Sequence, residues 1–161
     1  MRVSPEHQDP ETIQRILHQA RTVAIVGLSP NELRASNFVG FYADRHGYEV
    51  IPVNPREDEI MGFKSYPSLA DIPGTVDVVD VFRDPGAAVE VALQAVAINA
   101  RALWLQFGVI SDEAAEIAKA GGLDVVMDRC FKIEHARYIG RMHWLGFNTR
   151  VITGRRPGHL L

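Results

Sequence analysis

Five short apolar runs, rich in β-branched and aromatic residues, constrain the fold of this chain most strongly. They are TVAIVG (22–27), EVIPVNP (49–55), VDVVDVF (76–82), ALWLQFG (102–108) and LDVVMDRC (123–130). The first is almost continuously apolar rather than alternating, as expected of a parallel strand that is covered on both faces. The runs therefore predict five strands of one buried parallel sheet.

Helical patterns separate most of these runs. Ser36 or Asn37 is predicted to cap the first helix, Asp84 to begin the second, and Ser111 to cap the third. Only a short helical turn is expected at 67–73. Strands that alternate with helices predict right-handed βαβ units and an α/β fold with a doubly wound, Rossmann-like sheet.

The predicted strand order places a ligand crevice beside the first strand. We expect the order 3-2-1-4-5, in which the chain reverses direction next to strand 1. Ligands of such sheets bind outside the carboxyl ends of the strands. An added N-terminal helix is predicted from Asp9-Pro10, with Ile13, Ile16 and Leu17 on its apolar face.

Composition and charge exclude several classes of protein. The 161 residues predict a single domain, 1–161, with its core at about 22–137 and a C-terminal extension. A formal net charge of −3 gives no general attraction to nucleic acids or acidic membranes. One cysteine, a polar N-terminus and no apolar run of about 20 residues predict a cytoplasmic protein.

The turn after the first run departs from the dinucleotide-binding pattern G-x-G-x-x-G. After Gly27 the chain reads Leu28-Ser29-Pro30-Asn31, without the second and third glycines. Gly27 permits close approach of a ligand, Ser29 and Ser36 offer hydroxyl donors, and Arg34 offers a planar cation. These residues fit a diphosphate site at a helix N-terminus and fit an ordinary polar turn equally well.

The end of the second run argues against NAD and FAD. Dinucleotide-binding strands end here in Asp or Glu, which accepts hydrogen bonds from the ribose. This run ends in Asn54-Pro55, and the next acid is Glu57. Arg56 could bind a phosphate on the ribose, although surface arginines are more common.

Residues after the later runs extend the predicted crevice. Phe82 could stack on a base or pack in the core, and Arg83 is a candidate anion contact beside a helix start. Gln106 and Gly108 are expected to face the crevice after the fourth run. Gly108 would permit close backbone approach, or would simply end the strand.

Cys130 is the one thiol available for covalent chemistry. It adjoins Arg129, and His135 lies five positions on, but no third residue that would orient the pair is identifiable. Most lone cysteines are small buried apolar residues. The six histidines are scattered without metal-ligand spacing, so no metal site and no catalytic residue are predicted.

Several motifs, in order, resemble the stand-alone CoA-binding domain proteins. They are VAIVGLSPNELRASNFV, HGYEVIPVNP, YPSLADIP, VDVVDVFR, WLQFGV and VVMDRCFKIEH. These small bacterial proteins are similar to the nucleotide-binding domain of the succinyl-CoA synthetase alpha subunit. The resemblance implies a Rossmann-like fold that binds coenzyme A or an acyl-CoA.

The resemblance also assigns roles to residues. Gly27, Ser29 and Ser36 match the turn and helix start that hold the CoA phosphates, and Asn54 and Pro55 match the segment beside the adenosine. Val81, Phe82 and Arg83 match the segment that runs along the ligand. Leu28 belongs to the same turn, and the assignments of Pro30, Asn31 and Arg34 are looser, because that loop varies among the synthetases.

Three functions follow from the resemblance. The synthetases use a phosphohistidine in a second domain, which this sequence is not expected to contain, so binding without turnover is the leading hypothesis. A CoA-dependent enzyme or thiol-redox protein that uses Cys130 is the second. The third is a regulatory module that senses CoA for a partner protein. The expected partners are the CoA ligand and either further copies of the chain or another protein.

Overall fold

Five parallel strands form the central sheet of the structure, a computed structural model that describes residues 2–140. They are β1 (Thr22–Val26), β2 (Glu49–Val53), β5 (Val78–Val81), β6 (Ala102–Leu105) and β7 (Asp124–Met127). The five predicted strands and the α/β class are confirmed. An antiparallel hairpin of β3 (Glu59–Ile60) and β4 (Phe63–Lys64) was not predicted, because two-residue strands show no periodicity.

Five α-helices flank the sheet. They are α1 (Pro10–Gln19), α2 (Ala35–Arg45), α3 (Ala88–Ala97), α4 (Asp112–Ala120) and α5 (Phe131–His135). Single 3₁₀ turns lie at Pro5–Gln8, Leu69–Asp71 and Pro85–Ala87, and a π-helical turn, Ala136–Gly140, continues α5. None of the described helices has the length and apolar character needed to span a membrane.

The helix starts agree with the sequence at α1 and α4 and differ at α2. A carboxylate oxygen of Asp9 accepts the Thr12 N–H at 3.0 Å, and Ser111 Oγ accepts the Ala114 N–H at 3.2 Å. At α2 the prediction that Ser36 or Asn37 is the cap was wrong. Both lie buried inside the first turn and bond to the preceding loop instead.

The predicted strand order was wrong. The observed order is β2-β1-β5-β6-β7, or 2-1-3-4-5 in the numbering of the predicted strands. The segment between β2 and β5 buries Leu69 in the core beneath α3 and α4, whereas α2 lies on the opposite face. Right-handed connections that reverse direction must change faces, so this segment crosses β1 and delivers β5 to its far side.

The sheet is buried on both faces, which explains its continuous apolar runs. Val23, Ala24 and Ile25 of β1 are all fully buried although their side chains alternate between faces. Residues of α1, α2 and α5 cover one face, and residues of α3 and α4 cover the other. The last α-helix, α5, begins at Phe131, and residues 141–161, which hold most of the predicted C-terminal extension, lie outside the described part of the chain.

Candidate functional site

The switch point of the sheet lies between β1 and β5. From β1 the chain moves outward to β2 on one side, whereas β5, β6 and β7 follow on the other side. The connections on the two sides lie on opposite faces, so a crevice opens outside the carboxyl ends of β1 and β5. The third predicted strand, rather than the fourth, therefore faces the first across the crevice.

The turns after β1 and β5 are in direct contact. Phe82 N–H donates to the Val26 carbonyl at 2.8 Å, and Gly27 N–H donates to the Val53 carbonyl at 3.0 Å. Gly27 has φ +91°, and a Cβ atom added to it would lie 2.3 Å from the Phe82 carbonyl oxygen. Only glycine fits this position, because both the backbone angle and the approach of Phe82 exclude a side chain.

Two buried side chains of α2 form hydrogen bonds to the β1–α2 loop (residues 27–34). Ser36 Oγ accepts the Ser29 N–H at 3.0 Å, and Asn37 Nδ2 donates to the Ser29 carbonyl at 2.9 Å. The backbone N–H and the carbonyl group of Ser29 are thereby both fixed to the first turn of α2. Asn37 was absent from the predicted site, since its helical position reads equally well as an ordinary cap.

Two side chains of the same loop form hydrogen bonds to the loop backbone. Ser29 Oγ accepts the Asn31 N–H at 3.1 Å, and Asn31 Oδ1 accepts the Leu33 N–H at 2.9 Å. Among the described residues, no acceptor bonds the N–H groups of Ala35 and Ser36 at the start of α2. Such exposed donors at a helix N-terminus suit an anion.

Asn54 joins the ends of β1 and β2. Its Nδ2 donates to the Leu28 carbonyl at 3.0 Å, and its Oδ1 accepts the Arg56 N–H at 2.9 Å. Its amide is thus occupied by the backbone. Asn54 positions the β1–α2 loop and does not replace the carboxylate of dinucleotide-binding folds.

The remaining predicted residues fall into two groups. Leu28 and Val81 are fully buried in the core, so only their backbone groups can face a ligand. Pro30, Arg34, Pro55 and Arg83 are exposed at the carboxyl edge, and Phe82 is half-buried beside them.

Three arginines surround this part of the carboxyl edge. Arg34 precedes α2, Arg56 follows β2 and Arg83 follows β5, and all three are exposed. None of them forms a salt bridge with another described residue. Guanidinium groups without carboxylate partners suit the binding of phosphates.

Gln106 and Gly108, which follow β6, form hydrogen bonds to the segment that follows β7. Gln106 is buried, and its Oε1 accepts the Phe131 N–H at 3.0 Å. The Gly108 N–H donates to Asp128 Oδ1 at 2.7 Å, which ties the β6 and β7 turns together. The Gln106 side chain therefore faces α5 rather than the crevice, whereas the expectation for Gly108 stays a prediction.

Asp80 is a buried carboxyl group that sequence reasoning overlooked. It lies in β5 between Ile25 and Trp104, is fully buried, and has no hydrogen-bond partner among the described residues. Burial raises the pKa of Asp80 well above its usual value. A single acid inside the apolar run VDVVDVF was the available signal.

Cys130 and His135, which the sequence analysis considered as a catalytic pair, are not hydrogen-bonded to each other. Cys130 is half-buried at the start of α5, and no hydrogen bond joins its thiol to His135. His135 Nδ1 instead shares a 2.8 Å hydrogen bond with the Tyr42 hydroxyl. Burial, followed by the proximity of His46 and His18, lowers the pKa of His135 to about 4.

A cavity of about 320 Å³ lies at the opposite, amino-terminal edge of the sheet. Its charged lining residues are already paired, Arg15 with Asp124 at 2.6 Å and Arg101 with Asp77 at 3.5 Å. Because these groups neutralise each other, we place the functional site at the carboxyl edge, where Arg34, Arg56 and Arg83 form no salt bridge with any residue of 2–140.

Comparisons with known proteins identify the family and the fold. The family described as CoA binding domain matches residues 21–136. The chain is 40% identical over 124 residues to the uncharacterized protein YneT of Bacillus subtilis, covering 77% of this chain and 92% of YneT. A hypothetical protein from Pyrococcus horikoshii superposes with TM-score 0.81 at 38% identity, covering 87% of this chain and all of that one.

A longer relative shares the same region. An ADP-forming acetate–CoA ligase of Archaeoglobus fulgidus is 31% identical over 124 residues, which are 71% of this chain and 18% of the ligase.

Proposed function

This chain belongs to the CoA-binding domain family, and from that premise we propose that it binds coenzyme A or an acyl-CoA at the carboxyl ends of β1, β2 and β5. The observation that carries the proposal is the meeting of three turns at the switch point, surrounded by arginines without carboxylate partners. Gly27 supports close backbone approach there, and the N-terminus of α2 supplies unbonded N–H groups.

The chemistry of coenzyme A fits this donor set. CoA carries a diphosphate and a ribose phosphate, so it needs several cations and amide donors and no ribose-binding carboxylate. Arg34, Arg56 and Arg83 provide the cations. The Asn54 amide is uncharged and already bonds the backbone through both Nδ2 and Oδ1, so it is a poorer acceptor for ribose hydroxyls than a carboxylate, which disfavours NAD.

We assign the phosphates to Gly27, Ser29, Pro30, Ser36 and Arg34, where the β1–α2 loop meets α2. Asn54 and Pro55 lie on the adenosine side, with Asn54 acting through the loop that it holds. Phe82 and Arg83 border the ligand after β5. Leu28 and Val81 contribute backbone groups only, because their side chains are buried.

Binding without turnover is the function that we propose. A covalent mechanism needs a nucleophile hydrogen-bonded to a base. The hydroxyls near the switch point are instead engaged with backbone N–H groups, and no described imidazole bonds to them.

Titration calorimetry with CoA, acetyl-CoA, dephospho-CoA, NAD and ATP tests the proposal. We expect saturable binding of CoA or acetyl-CoA, weaker binding of dephospho-CoA and no comparable heat from NAD. Binding of NAD in the absence of any response to CoA at about millimolar concentration would overturn it.

Cys130 supports a second candidate, thiol–disulfide exchange with CoA disulfide. Cys130 is half-buried at the carboxyl edge beside Arg129. Its thiolate would attack one sulfur of CoA disulfide, forming a mixed disulfide and releasing one CoA thiolate. Mass spectrometry of the protein incubated with CoA disulfide checks this step, and an unmodified Cys130 would exclude it.

A further inference from the structure

The face of α2 that points away from the sheet carries two phenylalanines. Phe38 and Phe41 are 53% and 49% exposed. With Arg34 and Arg45 they follow the spacing i, i+4, i+7, i+11, which places all four on one stripe of the helix. We call this stripe the α2 outer face. Its aromatic residues lie opposite the buried side of the helix, where apolar groups are not expected in a protein without a partner.

Cations cover the rings of this face. The Arg45 guanidinium carbon lies 4.6 Å from the centroid of Phe41, and Lys132 Nζ of α5 lies 5.9 Å from that of Phe38. Neither cation forms a salt bridge with a described residue. The face therefore offers apolar ring edges bordered by positive charges that nothing in the described chain neutralises.

We propose that the α2 outer face docks an acidic amphipathic helix of a partner protein. Apolar side chains of such a helix would pack on the rings of Phe38 and Phe41, and its carboxylates would pair with Arg34, Arg45 and Lys132. The stripe from Arg34 to Arg45 is about 16 Å long, which matches about three turns of helix.

Charge disfavours two other occupants of the α2 outer face, a second copy of this protein and its own residues 141–161. A second copy, placed by a two-fold axis at the middle of the stripe, would set Arg34 of one molecule against Arg45 of the other. Residues 141–161 contain Arg141, Arg150, Arg155 and Arg156 and no acid, so that segment has the same sign of charge as the face.

Nucleic acid is also a poorer fit than an acidic helix. Bases bind to aromatic residues through their ring faces, and here cations already lie over both rings. Three positive charges on a chain of net charge −3 would give weak phosphate attraction.

The docking face is separate from most of the proposed CoA site. Arg34 is common to both, whereas Phe38, Phe41, Arg45 and Lys132 contribute only to the face. Binding of a helix can therefore be measured on the CoA-free protein, so failure of this proposal is distinguishable from failure of CoA binding.

Three labelled peptides of about five turns provide the test, read by fluorescence anisotropy against the full-length protein. The first has leucines at helical spacing i, i+3, i+4 and i+7 flanked by glutamates. The second replaces the glutamates with lysines, and the third keeps the glutamates but scrambles the leucines. We expect the first to bind at least about tenfold more tightly than either other peptide.

Variants assign the binding to the face. The double variant Phe38→Ser, Phe41→Ser should weaken the glutamate peptide at least about tenfold. The matched control is Leu93→Ser, which removes an apolar side chain of the same 49% exposure as Phe41 from α3 on the other side of the sheet. It should leave binding within about twofold. The double variant Arg45→Glu, Lys132→Glu should reverse the preference to the lysine peptide.

Four results would overturn the proposal. These are no saturable binding of the glutamate peptide below about 1 mM, equal binding of the scrambled peptide, an equal effect of Leu93→Ser, or preferential binding of a labelled oligothymidylate. A concentration-dependent dimer that Phe38→Ser, Phe41→Ser abolishes would assign the face to a second copy instead.

Discussion

The carbonyl oxygen of Phe82 lies 2.3 Å from the position that a Cβ atom on Gly27 would occupy. This close approach joins the turns after β1 and β5 at the switch point, where the order of the strands in the sheet reverses. It gives Gly27 a structural requirement that does not depend on any ligand. The shape of the proposed CoA crevice therefore depends on the absence of a side chain at residue 27.

Gly27→Ala is expected to destabilise the fold by more than about 2 kcal/mol. The new methyl group meets the Phe82 carbonyl and the φ of +91° is unfavourable for alanine. Gly47→Ala is the matched control, because Gly47 has the same φ but no atom within 4 Å of the added Cβ. Urea unfolding should show a loss of about 1 kcal/mol for Gly47→Ala. Equal losses in the two variants would show that the contact with Phe82 relaxes.

Ser36→Ala should lower CoA affinity about three- to tenfold, because the Ser29 peptide loses the hydroxyl that fixes it. Ser111→Ala is the control. Ser111 Oγ also accepts a backbone hydrogen bond, from the Ala114 N–H at 3.2 Å, but it lies at the start of α4. Both variants should lose about 1 kcal/mol of stability. Calorimetry should find a change in affinity for Ser36→Ala alone; a similar change in both would assign the effect to general stability.

Arg83→Ala should weaken CoA binding and reduce its dependence on salt, because a cation near the phosphates is removed. Arg21→Ala supplies the control, as Arg21 is exposed at the amino-terminal edge of the sheet. Calorimetric titrations at two ionic strengths measure both effects. The assignment of Arg83 fails if its removal leaves the salt dependence unchanged.

Asp80 is expected to reduce stability as the pH rises above about 4. Burial raises its folded pKa above the ordinary value of 3.8, so the folded chain keeps a proton that the unfolded chain releases. Asp80→Asn should therefore gain stability relative to the wild type as the pH is raised from 4 to 7 in urea titrations. A constant difference across this range would contradict the buried, protonated state.

Asp77→Asn should show the opposite pH dependence. Burial alone would raise the pKa of Asp77, but hydrogen bonds from the N–H groups of Arg21 and Thr22 outweigh it and lower the pKa. Its stabilising effect is therefore present at neutral pH and is lost as the pH falls through the folded pKa. The same titrations should find the largest loss for Asp77→Asn at neutral pH.

His135 should reduce stability under acid conditions. Folding lowers the pKa of His135 from 6.5 to about 4. Between these two pH values the imidazole is protonated in the unfolded chain and neutral in the folded chain. Stability should decline as the pH falls from about 6.5 to 4, by up to roughly 3 kcal/mol. His135→Gln should flatten this part of the curve, and NMR titration of His135 should give a midpoint below 5. A midpoint near 6.5 would show that the imidazole is solvated.

The strands and the starts of α1 and α4 could be predicted because they depend on local patterns. Apolar runs marked β1, β2, β5, β6 and β7, and the capping residues Asp9 and Ser111 marked α1 and α4. Ser36 and Asn37 were misassigned because the same side chains that cap a helix also bond a neighbouring loop. Which of the two occurs depends on the direction in which the loop approaches.

The turns that form the candidate site could be identified from the sequence, but their arrangement could not, and the assignment of individual residues to a ligand stays a prediction. The sequence indicated the turns after β1, β2 and β5, and these turns meet at the switch point. It did not indicate that Leu28 and Val81 are buried, that Asn54 bonds the Leu28 carbonyl, or that Gln106 turns toward α5. The resemblance to CoA-binding domains supplied the ligand that residue types alone left open.

By itself the sequence determined the five-stranded α/β class, the glycine turn and the missing acid at Asn54, because periodicity, backbone freedom and charge are properties of short segments. Only the tertiary structure decided that β5, not β6, lies beside β1, that Gly27 meets Phe82, and that Asp80 has no hydrogen-bond partner within the part of the chain described. These depend on a crossover of some two dozen residues between β2 and β5, whose route is set by handedness and packing on the α3 and α4 face. No local pattern records that route.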